Sequence, residues 1–203
     1  MAVFNISYGI TSALEGGYAN HPKDKGGETY AGISRKFHST WIGWPYIDKQ
    51  RRYGTLKTNQ IFPKLNEYVK TFYTREFWDK LHCSALDQAL ANQLFDYAVN
   101  SGKGRAVKTL QAILNQLGES LLVDGVIGAK SLAAIAKHDQ SNLAQLLHKN
   151  REVFLQKEAQ NQPAFAQVWS NRLNTMKEYL PSAGVSLGLL TIVGISLFFL
   201  TKN

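Results

Sequence analysis

The sequence predicts a mainly α-helical protein, and three observations carry that prediction. Apolar residues recur at intervals of three and four along most of the chain, period-two alternation never persists, and breaks rich in Gly, Pro and Asn separate the periodic segments. The 203 residues, 44% hydrophobic and 11% aromatic, suffice for one compact domain or two small ones and exclude a disordered chain. Cys83 is the single cysteine, so no intrachain disulfide can form, and a buried, inert thiol is expected there. A formal charge of +8 with a pI near 9.5 favours anionic partners such as nucleic acid, acidic lipid or cell-wall polymer.

Taken in order, Ile6, Ile10, Ala13 and Leu14 share a helical face, and Gly16-Gly17 stops the pattern. Glu15 therefore falls at the C-terminal end of a first helix. The negative end of the helix dipole and partial burial would both push its pKa upward, toward that of a general acid. The glycines permit a sharp turn and close approach of a ligand, and a small hairpin is expected near residues 18 to 33. Ile33 to Phe37 reads as a short helical piece. Trp41-Ile42-Gly43-Trp44-Pro45-Tyr46 is an aromatic cluster with breakers, suited equally to stacking sugar faces or to filling a core. Thr58 looks like the N-cap of a helix running to Tyr73, with Pro63 in its first turns or dividing it in two. Phe77, Trp78 and Leu81 continue its apolar face. Further helices are expected over Leu86 to Val99, Ala106 to Leu117, Lys130 to Lys137 and Asn142 to Glu158, with Val123 to Gly128 as a turn. Pro163 opens a last helix containing Phe165, Val168, Trp169, Leu173 and Met176.

Residues Ser182 to Leu200 carry no charge, and nineteen helical residues at about 1.5 Å each match the hydrocarbon thickness of a bilayer. A single C-terminal transmembrane helix is expected over 182–200, with Gly184 and Gly188 as a small-residue pair favouring self-association. The first residues show no secretory signal pattern. The implied localisation is an anchored position in a bacterial inner membrane with the soluble part acting in the periplasm. The basic residues Lys157, Arg172 and Lys177 before the span, against Lys202 after it, argue for the opposite orientation.

Glu15 and Asp24 lie nine positions apart in a stretch of glycines and turn formers that no buried core requires. Two carboxylates at one cleft are what acid-catalysed glycoside cleavage needs: one protonates the leaving oxygen, the other activates water or stabilises the oxocarbenium-like centre. Glu15-Gly16-Gly17-Tyr18, followed by Asn20, Pro22, Asp24, Gly26-Gly27, Thr29 and Gly32-Ile33, strongly resembles the opening motif of the glycoside hydrolase family 108 muramidases. The order Glu, Asp, Thr also resembles that of phage-type lysozymes, with four residues between Asp24 and Thr29 where those have five. A second block, Phe95-Asp96-Tyr97-Ala98-Val99-Asn100-Ser101-Gly102 followed by Ala106-Val107, Leu110-Gln111 and Asp124 to Gly128, is similar to the predicted peptidoglycan domain that follows in this family.

The resemblance implies a lysozyme-like helical fold and hydrolysis of the β-1,4 bond between N-acetylmuramic acid and N-acetylglucosamine, without a cofactor. Glu15 would be the proton donor, Asp24 the base or electrostatic partner and Thr29 the holder of the water. Tyr18, Tyr30, Asp96, Tyr97 and Asn100 are the expected substrate-binding residues, although helix capping accounts for Asn100 equally well. The expected division is a catalytic region over 1–85, a helical peptidoglycan-binding region over 86–180 that completes the cleft, and the membrane helix. His21, His38, His82, His138 and His148 lack metal-ligand spacing, and Gly102-Lys103-Gly104-Arg105 lacks the third glycine and Lys-Ser/Thr of a nucleotide loop. Two rivals stand beside the enzyme: a non-catalytic membrane-tethered module that binds peptidoglycan, and a nucleic-acid binder. The latter is disfavoured because no recognition helix or Lys/Arg-rich arm is present.

Overall fold

The computed structural model describes residues 1–13, 16–20 and 27–181. Within them the chain is mainly helical with one small sheet. Helix α1 (Phe4–Ser12) leads into three two-residue strands, β1 (Tyr18–Ala19), β2 (Thr29–Tyr30) and β3 (Ile33–Ser34), paired antiparallel in that order. Then come α2 (Trp44–Arg51), α3 (Asn66–Tyr73), α4 (Gln88–Ser101), α5 (Lys103–Gln116), α6 (Ala129–Ala136), α7 (Gln140–Asn161) and α8 (Ala166–Lys177). A single π-helical turn, Thr74–Trp78, extends α3.

Helix α4 is the axis of the molecule: every residue from Leu90 to Ala98 is buried, with α1, α5 and α7 packed around it. A helix enclosed on all sides should be apolar all round, yet α4 carries Asn92, Gln93 and Asp96, so each must find a partner inside the protein. Each does. Asn92 Oδ1 accepts from Ser7 Oγ of α1 at 2.6 Å and from Gln88 Nε2 at 2.8 Å. Gln93 Nε2 donates to the Met176 carbonyl at 2.7 Å, and its Oε1 meets His148 Nδ1 at 3.2 Å. Asp96 is held by Arg151 of α7 and Arg172 of α8. A polar seam thus fixes three helices against the central one.

Several local expectations are corrected. Residues 33 and 34 form β3 where a helical piece was expected, because Tyr30 and Ile33 pair across a tight turn with Ala31 and Gly32 at positive φ. Thr58 caps no helix; Pro63 opens a 3-10 turn, Pro63–Leu65, that leads directly into α3, since proline fits a first turn and lacks the N–H an interior position needs. The segment expected to be irregular is a helix, α2, with Pro45 in its first turn. Trp41 and Trp44 are core residues, and Gly43 is required there because a Cβ would sit 2.2 Å from the Trp41 ring.

The expected localisation is also corrected. Among the described residues no helix is long and apolar enough to cross a membrane. The longest, α7, carries Lys149, Arg151, Glu152, Lys157 and Glu158 along its length, and a charge at mid-bilayer costs about 2.5–3.5 kcal/mol or more. The stretch 182–200, with Gly184 and Gly188, lies outside the described residues, and neither the membrane anchor nor the self-association is carried further.

Candidate active site

Glu15 and Asp24 lie outside the described residues; the structure describes the scaffold on either side of them. The sheet joins the two ends of the loop that contains Asp24: Tyr18 pairs with Tyr30 and Ala19 with Thr29. The Ala31 N–H donates to the Gly17 carbonyl at 3.1 Å. Thr29, half-buried in β2, therefore sits across the ladder from the strand that follows Glu15 by three residues. A second backbone layer holds β1 from the far side. Tyr18 N–H donates to the Gln60 carbonyl at 2.9 Å and Asn59 N–H to the Tyr18 carbonyl at 2.7 Å.

This second layer explains a glycine. A Cβ on Gly17 would lie 2.6 Å from the Gln60 carbonyl oxygen and 2.7 Å from that of Asn59. A sharp turn and ligand approach were the expected reasons for the double glycine; at Gly17 the chain's own 59–60 segment makes a close approach.

An acid not singled out from sequence stabilises the same loop end. Glu28, its side chain 11% exposed, contacts Arg51, and Arg35 Nε approaches its Oε2 at 2.6 Å, close but outside hydrogen-bond alignment. Arg35 also grips Asp48 with both terminal nitrogens, at 2.7 and 3.1 Å, and its guanidinium lies 4.4 Å from the Trp44 ring centroid. Hydrogen bonding to Arg35 holds the Asp48 carboxyl below the usual carboxylate range. Arg51 bonds the Tyr18 side chain as well, which raises its own pKa further. A charged residue directly before Thr29, with Arg35 just after β3, was the available signal.

The expected substrate residues are placed unequally. Tyr18 is 5% exposed and Tyr30 2%. The Tyr30 hydroxyl accepts from the Phe62 N–H at 2.8 Å and donates to the Phe62 carbonyl at 3.2 Å, so its polar end is fully used. Burial raises its pKa. Asp96 has no exposed surface. Arg151 Nη1 donates to its Oδ2 at 2.7 Å, and Arg172 donates from Nε at 3.0 Å and from Nη2 to Oδ1 at 2.8 Å. Burial pushes this carboxyl up, but the two guanidiniums outweigh it and hold the pKa below its ordinary value. Tyr97 is buried under the Arg151 guanidinium, 5.1 Å from its ring centroid. Asp96 and Tyr97 thus face inward, against the expectation that they line a cleft, because the α7–α8 arginines close over them. Asn100, in the last turn of α4, is half-buried.

Aromatic side chains connect these parts. Tyr73 donates from its hydroxyl to the Ala31 carbonyl at 2.7 Å, and its ring packs on Tyr8 of α1 and on Phe77 of the π turn. Lys103, at the start of α5, places its ammonium 4.8 Å from the Phe77 centroid and donates to the Glu76 carbonyl at 2.6 Å. The turn of the sheet, the π turn and the α4–α5 junction therefore form one continuous wall. Glu76 is held ionised by Lys80, which lowers its pKa and disqualifies it as a proton donor near neutrality. Cys83 is fully buried and burial pushes its pKa up, as expected for an inert thiol. Among the described residues no group of His, Cys, Asp and Glu could hold a metal ion.

Comparison with known proteins bears on this arrangement. Residues 8–102 match the glycosyl hydrolase 108 family and residues 105–174 match the predicted peptidoglycan domain. No curated protein matches the chain. Among solved structures, SagA of Brucella abortus is similar, with a TM-score of 0.65 and 26% identity over 87% of this chain and 93% of that one. The junction between the two matched regions coincides with the α4–α5 turn, and the Asp96 to Arg151 and Arg172 contacts cross it. These matches support a peptidoglycan hydrolase in general terms, and the chain belongs to the glycosyl hydrolase 108 family, with its predicted peptidoglycan domain packed on the same central helix.

Proposed function

We propose that this protein is an N-acetylmuramidase of lysozyme-like fold that hydrolyses the β-1,4 bond between N-acetylmuramic acid and N-acetylglucosamine in peptidoglycan, for wall degradation in lysis or secretion. Glu15 is the proton donor, Asp24 the base or electrostatic partner, and Thr29 positions the water. Residues 1–85 supply the chemistry, and residues 86–180 complete the cleft and grip the wall. The observation that carries this reading is the sheet: its pairing of Ala19 with Thr29 closes the ends of the Asp24 loop beside the strand that follows Glu15. The described backbone that follows Glu15, at Gly17 to Ala19, thereby lies beside Thr29 and Tyr30. Tyr18, Tyr30, Asp96 and Tyr97 act from behind the surface, as supports, and Asn100 faces the substrate.

Mass spectrometry of digested peptidoglycan tests the reading. Products with reducing-end N-acetylmuramic acid are expected, and Glu15→Gln should lower turnover by about 10²- to 10⁴-fold, the usual contribution of a general acid. Reducing-end glucosamine or cleaved peptides would replace the assignment with another lytic class. Binding of walls with no released sugar would favour a non-catalytic binding module.

A further inference from the structure

The buried arginine of the peptidoglycan domain does more than neutralise Asp96. Asn100 Oδ1 accepts from Arg151 Nη2 at 3.2 Å and from Ser101 Oγ at 3.0 Å. A guanidinium has donors and no acceptor, so the Asn100 atom that faces it must be the oxygen. Arg151 has no freedom to turn away. Its side chain is 1% exposed, Nη1 is spent on Asp96, and the Tyr97 ring lies beneath it. Asp96 is in turn fixed by the two-point grip of Arg172. With both lone pairs of Oδ1 engaged, the outward half of the amide is its NH2, which has no protein partner among the described residues while the residue itself is half-buried. Asn100 lies in the last turn of α4, next to the α4–α5 junction, on the side of the helix that meets Arg151 of α7.

We infer that Arg151 is a positioning residue which locks the Asn100 amide with its NH2 outward, so that Asn100 offers the glycan strand a hydrogen-bond donor directed at an acyl oxygen. This rests on the proposed reading that Asn100 faces the substrate. Peptidoglycan supplies such acceptors from two sources, the acetamido carbonyls of its sugars and the carboxylates of its stem peptides. An amide locked the other way round would repel both.

The test is Asn100→Asp in the full chain, with purified peptidoglycan. Aspartate keeps an oxygen toward Arg151 and Ser101, replaces the outward NH2 with a second acceptor and adds a negative charge. The apparent KM and the dissociation constant from co-sedimentation with walls should each rise about tenfold, as loss of one good hydrogen bond implies. kcat and thermal stability should hold, the latter because the new carboxylate pairs with Arg151. Wild-type KM and wall affinity in this variant would overturn the inference. Arg151→Lys keeps a cation for Asp96 but releases the amide, so it should weaken binding by a smaller factor, and the double variant should bind no worse than Asn100→Asp alone; additive effects would refute the coupling. On de-N-acetylated walls the Asn100→Asp penalty disappears if the acetamido carbonyl is the acceptor and persists if the carboxylate is. A wild-type protein that releases no sugar would defeat the muramidase reading, while co-sedimentation would still decide whether Asn100 donates.

Discussion

Two clusters of acids and arginines hold this protein together, and they differ in one respect that governs everything else about them. Asp96 with Arg151 and Arg172 is sealed inside, its side chains 0%, 1% and 8% exposed. Glu28 and Asp48 with Arg35 and Arg51 lie at the surface behind the site loop, with side chains 11% to 45% exposed. The chemical groups are nearly the same. Water is present at one and excluded from the other, so breaking the first strands a charge, whereas breaking the second hands it back to solvent.

The largest expected effect follows directly. Asp96→Asn leaves two buried guanidiniums without a counter-ion and should destabilise the fold by about 3–5 kcal/mol, read as a shifted midpoint in urea unfolding. Because the pair spans the junction of the two matched regions, the loss should appear as one cooperative transition for the whole chain. Two separate transitions would mean that the peptidoglycan domain folds alone and that the seam is incidental.

How much of this was legible in the sequence depends on whether a residue's role is local. Apolar spacing gave the helices over 88–101, 103–116, 129–136, 140–161 and 166–177 to within a few residues of the limits expected, because that signal lies inside each helix. The small hairpin expected near residues 18 to 33 is present as β1 to β3. What could not be read was long-range pairing: Asp96 finds Arg172 seventy-six positions away, and a lone acid in a motif looks the same whether it faces substrate or a guanidinium. At Gly17 close approach was legible as a signal, but that the chain's own 59–60 segment makes it was not. Helix α2 was missed because Trp44-Pro45 reads as a breaker, although proline is well accommodated in a first turn.

The next effect in size separates the clusters by pH. The Asp96 pKa is lowered in the folded state, so its contribution is fully present above the unfolded value of about 3.9 and is lost as pH falls through the folded value. His148 lies on the same seam. Burial, then Arg151, lowers its pKa below about 6.5, so the fold should begin to lose stability as pH drops under that value, because the unfolded chain takes up the proton first. Urea midpoints measured from pH 8 to pH 4 should fall in wild type, and the limb just below pH 6.5 should flatten in His148→Gln. An unchanged limb would place the responsible group elsewhere.

The smallest effect is the most discriminating. Glu28→Gln removes a charge from a cluster that is only partly screened from water, the Glu28 side chain being 11% exposed, but leaves Arg35 with Asp48 and Arg51 with Tyr18; solvent-reachable pairs contribute about 0–1 kcal/mol. The variant should lie within that range of wild type, and the difference should vanish in 1 M salt, where the Debye length is about 3 Å. The Asp96→Asn deficit should survive the same salt almost unchanged, because ions do not reach it. A Glu28→Gln loss above about 2 kcal/mol that salt fails to reduce would show that the surface cluster is desolvated in solution. Exposure would then no longer be what separates the clamp behind the loop from the knot behind Asn100.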